Sequence, residues 1–165
     1  MQRATKLRLL DFVAPVFLGI GFIVKMVYNL AFAWWLDPLL RRKANRSLLD
    51  ETTANLYFLV SQPHADVRSI SARQSAWPTV KISWENLLFT VVRWCRDTNI
   101  SVAPRHAPRE SYELGPVVAA LECRHFSERD VVNDLSDAAN LLRPRLQALN
   151  AAFSEQKFPQ IKERL

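Results

Sequence analysis

The feature that most constrains this chain is a run of 25 residues, Phe12 to Leu36, in which Lys25 is the only charged side chain. At a rise of about 1.5 Å per residue a helix over this run covers about 37 Å. That exceeds the roughly 30 Å of a bilayer's hydrocarbon core. The sequence therefore predicts a single-pass transmembrane helix over 12–36. Pro15 falls in its first turn, where a missing N–H does little harm. Trp34 and Trp35 stand where an interfacial aromatic belt is expected, and Asp37-Pro38 reads as a stop.

Two other readings of the run are weaker. A cleaved signal peptide has a shorter apolar core and a small-residue cleavage site, neither of which is present. A surface-lying helix needs a broad polar face. Here Phe22, Ile23, Val24, Met26, Val27 and Leu30 are apolar in nearly every direction around Lys25 and Asn29. A charge at mid-bilayer is costly and calls for a use or an escape. Lys25 and Asn29 share one helix face, and Gly19 and Gly21 permit close approach, so these four residues are the expected contact with a partner helix. The alternative is that the Lys25 stem snorkels to an interface.

Charge distribution places the partners. Residues 1–50 hold eight Lys/Arg against three Asp/Glu, whereas residues 51–165 hold fourteen against thirteen. The basic excess thus flanks the apolar run, with Arg41, Arg42, Lys43 and Arg46 at lipid-headgroup level, and no nucleic-acid partner is expected. The organisation read from this is a basic N-terminal flank (1–11), the spanning helix (12–36), a basic juxtamembrane segment (37–50) and a small α+β domain (51–165). The positive flanks nearly balance. The denser Arg-Arg-Lys cluster and the two cysteines favour an inner (cytoplasmic) membrane with the C-terminal domain cytoplasmic. The acid-free basic start, residues 1–10, keeps an organelle inner membrane open.

Within the domain the expected order is β-α-β-β-α with a long C-terminal helix. "ANLYFLVSQP" (54–63) is rich in β-formers and reads as a strand, and 64–79 as a loop. In "SWENLLFTVVRWCRDTN" (83–99), Ser83 is a good N-cap, and Trp84, Leu88, Val91 and Cys95 fall on one helical face. "ISVAPR" (100–105) reads as a strand, and so does "VVAALECR" (117–124), after the Gly115-Pro116 breaker. Ser127 and Asp130 resemble a capping box. Beyond it, Val131, Leu135, Ala138, Leu142, Leu146, Leu149 and Phe153 are spaced 4-3-4-4-3-4. That is an eleven-residue period along one stripe, interrupted by Pro144, which should kink the helix. The stripe packs on the domain's own sheet or serves as a self-association seam over 131–153.

Chemistry is sparse. No glycine-rich phosphate loop, G-x-S-x-G or HExxH motif occurs, and no cofactor is implied. Cys123, His125, His106 and Cys95 lack the paired close spacings of a zinc site, and the two cysteines read as buried thiols, with a single disulfide in an exported domain as the alternative. "APRHAPRESY" (103–112) gathers Arg105, His106 and Arg109 on a proline-stiffened loop, a candidate site for a phosphate or acidic peptide, since guanidinium groups bind such oxyanions bidentately. The leading expectation is a non-catalytic, membrane-anchored accessory or scaffold subunit of a larger complex. The alternative is a membrane-tethered sensor whose domain binds an anionic, phosphate-bearing ligand through that Arg-rich loop.

Overall fold

The computed structural model describes residues 24–28, 37–70, 74–95 and 97–165. The chain divides between Leu40 and Arg41 into two units, and the fold described is that of Arg41–Leu165. Its centre is a five-stranded antiparallel sheet: β1 (Asp66–Ser69), β2 (Thr79–Trp84), β3 (Leu87–Trp94), β4 (Asp97–Pro104) and β5 (Tyr112–Glu113). Strand order follows chain order, so every strand pairs with its sequence neighbours.

Alternation sets the two faces of this sheet. In register, Val80↔Val91↔Ile100, Ile82↔Phe89↔Val102 and Trp84↔Leu87↔Pro104 form three cross-strand rows of buried side chains. Fully burying one such aliphatic or aromatic side chain is worth about 1.5–3 kcal/mol. The β2–β3 connection is the two residues Glu85-Asn86. Glu85 takes φ 47, as a tight hairpin turn demands. Asn150 holds this turn from 64 residues away: its side-chain oxygen accepts from the Asn86 N–H at 3.1 Å, and its amide donates to Glu85. Between Trp94 and Asp97, Cys95 likewise has a positive φ, 57.

Helices supply the other half of the core. α1 (Asp37–Asn55) and α2 (Tyr57–Val60) precede the sheet; α3 (Leu114–Leu121), a 3₁₀ turn (Glu128–Asp130), α4 (Leu135–Leu142), α5 (Leu146–Ala152) and α6 (Phe158–Lys162) follow it. Leu48, Leu56, Leu59, Val117, Val118, Leu142, Leu149 and Phe153 form one buried cluster with the inward rows of the sheet. At the start of α3, Gly115 lies against the backbone of the 3₁₀ turn, where a Cβ would collide with the Asp130 carbonyl oxygen. The turn itself is anchored by Asp130, whose carboxylate accepts from the Ser127 N–H at 2.9 Å and the Ser127 hydroxyl at 3.0 Å.

Several expectations are corrected. Among the described residues no helix is long and apolar enough to cross a membrane. Of the run 12–36 the structure describes a helical stretch at 24–28, with Lys25 exposed; Gly19, Gly21 and Asn29 lie outside the described residues. α1, at 19 residues, is long enough to cover about 28 Å, but it carries Arg41, Arg42, Lys43, Arg46, Asp50 and Glu51, far too much charge for hydrocarbon. The single-pass reading of the fold is therefore replaced by a five-stranded antiparallel sheet with helices. Asp37-Pro38, read as a stop, opens α1, because proline in a first turn has no intrahelical bond to lose.

The order β-α-β-β-α is also replaced. Residues 54–63 end α1 and form α2, not a strand. Residues 83–99 are the β2–β3–β4 hairpins, not a helix. Leu87, Phe89 and Val91 alternate inward, and the β-branched and aromatic run Phe89-Thr90-Val91-Val92 suits a pleated surface. Residues 117–124, read as a strand, instead continue α3 as far as Leu121: Gly115-Pro116 begins the helix instead of barring it. The long C-terminal helix is broken. The Ser127/Asp130 box caps a 3₁₀ turn, Asp134 caps α4 by accepting from Ser136 and Asp137 N–H at 2.8 Å, and the chain breaks again at Pro144. Of the 131–153 stripe, Leu135, Ala138, Leu142, Leu146, Leu149 and Phe153 are buried in the chain's own core, and Val131 is exposed. Both cysteines are free and exposed rather than buried.

Candidate functional site

The outward face of the sheet is where the sequence places its unspent chemistry. The same register that buries the apolar rows sets Asp66↔Ser83↔Leu88↔Ala103, Arg68↔Lys81↔Thr90↔Ser101↔Glu113 and Thr79↔Val92↔Asn99 on the opposite side. Apart from Thr79 and Ala103 these side chains are half-buried or exposed. Backbone bonds carry the ladder past both ends. Arg93 N–H donates to the Pro78 carbonyl at 3.0 Å and Arg105 N–H to the Asn86 carbonyl at 2.7 Å. Trp77 therefore comes opposite Trp94 at one end, and Arg105 follows Ala103 on the same face at the other.

The two ends differ in character. Trp77 and Trp94 pack ring to ring, centroids 5.7 Å apart and planes tilted by 34°, yet are 45% and 63% exposed. At the other end Asp66, Arg68, Ile70, Lys81, Ser83, Leu88 and Arg105 line a concavity of about 360 Å³. Arg68 is paired with Asp66 at 2.6 Å, and the Arg105 guanidinium reaches the Glu85 carbonyl at 3.5 Å. Leu88 and Trp94 are six positions apart on β3, about 20 Å at the strand rise of roughly 3.3 Å.

This geometry divides the Arg-rich loop read from the sequence. Arg105 joins Arg68 and Lys81. His106 instead packs edge-on against Phe158, with centroids 5.8 Å apart, and Arg109 is exposed on the loop beyond. Neither His106 nor Arg109 lines the concavity. The sequence reading places Arg68 in the loop 64–79 and Lys81 outside any predicted element, so neither stands out. The available signal was the alternation Thr79-Lys81-Ser83 against Val80-Ile82-Trp84, which marks a strand with one polar face. Of the residues expected at headgroups, Arg42, Lys43 and Arg46 are exposed on α1, and Arg41 donates to the Ala76 carbonyl at 3.1 Å.

A second polar constellation is structural. Asp130, 2% exposed, receives two hydrogen bonds from Arg124 at 2.5 Å, and Glu122 bridges Arg124 and Arg145 at 2.6 Å each. Hydrogen bonding from Arg124, then from Ser127, holds the Asp130 carboxyl far below the ordinary range, and Arg124 followed by Arg145 lowers Glu122. Such groups stay ionised with their lone pairs filled, so they are fasteners rather than acids or bases poised for transfer. A cleft of about 170 Å³ lies beside them, between β4, the start of α3 and Phe126. Among the described residues no group of three His, Cys, Asp or Glu is arranged to hold a metal ion.

Comparison with known proteins finds no family model, no curated protein and no solved structure that matches this chain.

Proposed function

We propose that the chain is a non-catalytic accessory or scaffold protein that engages a protein partner through the outer face of its sheet. The observation that carries this reading is the Trp77–Trp94 pair. Two large rings are held together at the sheet's end and left about half exposed, although burying either would release considerable apolar surface. Tryptophan is among the residues that dominate binding energy at interfaces, because it offers wide apolar area with few rotamers to freeze. The hairpin register fixes both rings before any partner arrives, so little ordering cost falls on association.

The test compares the full-length chain with a Trp77→Ser/Trp94→Ser double variant, both purified under native conditions after cross-linking in the cell of origin. Partners recovered in fixed stoichiometry with the parent and lost from the folded variant support the reading. Identical partners with both chains, or a parent recovered alone, overturn it.

A further inference from the structure

We propose that the concavity at the other end of this face is a binding site for a phosphate monoester carried on a partly apolar molecule. The inference is independent of the partner reading, which rests on the tryptophans. Three cations reach one depression from three strands: Arg68 from β1, Lys81 from β2 and Arg105 from the extension of β4. Arg68 and Lys81 are directly opposite in the ladder, a placement in which like charges repel. A protein surface normally avoids this arrangement, and an anion seated between the two removes the repulsion.

The surrounding residues narrow the ligand further. Asp66 occupies Arg68, so Lys81, which has no salt bridge among the described residues, and Arg105 offer the freer donors. Ser83, half-buried on the row between them, adds a hydroxyl. The Arg105 guanidinium, the Lys81 ammonium and the Ser83 hydroxyl, beside the Asp66-paired Arg68, match the several acceptor oxygens of a phosphate dianion better than the two of a carboxylate. Ile70 and Leu88 supply an apolar floor, against which the body bearing the phosphate packs. The volume, about 360 Å³, lies at the lower end of the roughly 300–1,000 Å³ of small-molecule sites. It admits a mononucleotide or a lipid headgroup with its first methylenes. The carboxylate of Asp66 faces the same space and opposes an anion, so its removal acts in the opposite sense to removal of the cations.

The experiment titrates the full-length chain with inorganic phosphate, with adenosine 5′-monophosphate, and with phosphatidylcholine vesicles containing phosphatidic acid. The same titrations are made with Lys81→Ala, Arg105→Ala and Asp66→Asn. All three side chains are solvent-accessible, and circular dichroism verifies each fold. Saturable binding that weakens about tenfold in each cation variant, the loss of one charge-assisted contact, and strengthens in Asp66→Asn supports the site. Nucleotide binding with that pattern identifies a soluble ligand, and vesicle binding with it identifies a lipid headgroup. Phosphate alone showing the pattern, with neither larger probe binding, overturns the apolar carrier. No binding of any probe, or binding that the variants leave unchanged, overturns the proposal.

Discussion

Gly115→Ala is the most demanding test of how the helical layer is closed. A Cβ at this position meets the Asp130 carbonyl oxygen well inside contact distance and lies 3.0 Å from the edge of the Phe126 ring. Phe126 is half exposed and can swing away, but Asp130 cannot. Its N–H is bonded to the Ser127 carbonyl at 2.9 Å, and its carboxylate is fastened to Arg124 and Ser127. Forcing one extra carbon into a fixed contact costs about 1–3 kcal/mol. Alanine returns at most about 1 kcal/mol in helix propensity, and less in a first turn. The net expectation is destabilisation of about 1–2 kcal/mol, which for a domain of this size lowers Tm by about 3–8 °C. Thermal and urea unfolding followed by circular dichroism measure it. Because Asp130 is held in place by Arg124, the penalty should shrink in an Arg124→Ala background, giving a non-additive cycle. A Gly115→Ala variant as stable as the parent refutes the close approach, and strict additivity refutes the account of why Asp130 cannot retreat.

The remaining predictions address the core, the ion pair and the turns. Phe153→Ala should cost about 3–5 kcal/mol, since the ring is fully buried and packs 5.3 Å from that of Phe158; urea unfolding reads it directly. Asp130 titrates below its ordinary range in the fold, so its contribution is present above about pH 4 and lost as pH falls through the lowered value. Asp130→Asn should therefore be less stable than the parent at pH 7, with the gap closing under strong acid in parallel melts. Lys81→Thr should leave stability unchanged or raise it by about 0.2–1 kcal/mol by removing the like-charge pair with Arg68, as a denaturant midpoint will show. Cys95→Gly should stabilise by about 0.5–1 kcal/mol, since φ 57 strains any residue with a Cβ; a lower midpoint would show that the thiol is held by packing.

How much of this was legible in the sequence depended on whether local pattern and register agreed. The Ser127/Asp130 box and the break at Pro144 were readable, because capping and proline chemistry act within a turn. Six of the seven stripe residues, Leu135 to Phe153, were readable as sharing one buried environment, although separate helical segments carry them and Val131 is exposed. The hairpins were not readable from periodicity alone. Trp84, Leu88, Val91 and Cys95 fit a helical face while Leu87, Phe89 and Val91 fit a strand, and the β-branched content of 89–92 was the stronger clue. The start of α3 was misread because Gly-Pro marks a boundary without saying which side is the helix. At the site, Arg105 was legible as a cation on a stiff loop. Its companions Arg68 and Lys81 were not, because they are joined to it by strand register, which no short window encodes.

The strictly sequential strand order bears on how this sheet comes together. Trp84↔Leu87 and Trp94↔Asp97 each close across two residues, so the central three strands can zip outward from two adjacent points with little loop entropy to overcome. The distant ties, Asn150 to the Glu85-Asn86 turn and Glu51 to Arg93 at 2.8 Å, form only when the flanking helical segments dock. Assembly on this plan runs from the middle of the chain toward both ends, and the segments that arrive last are the ones whose loosening leaves a paired ribbon behind.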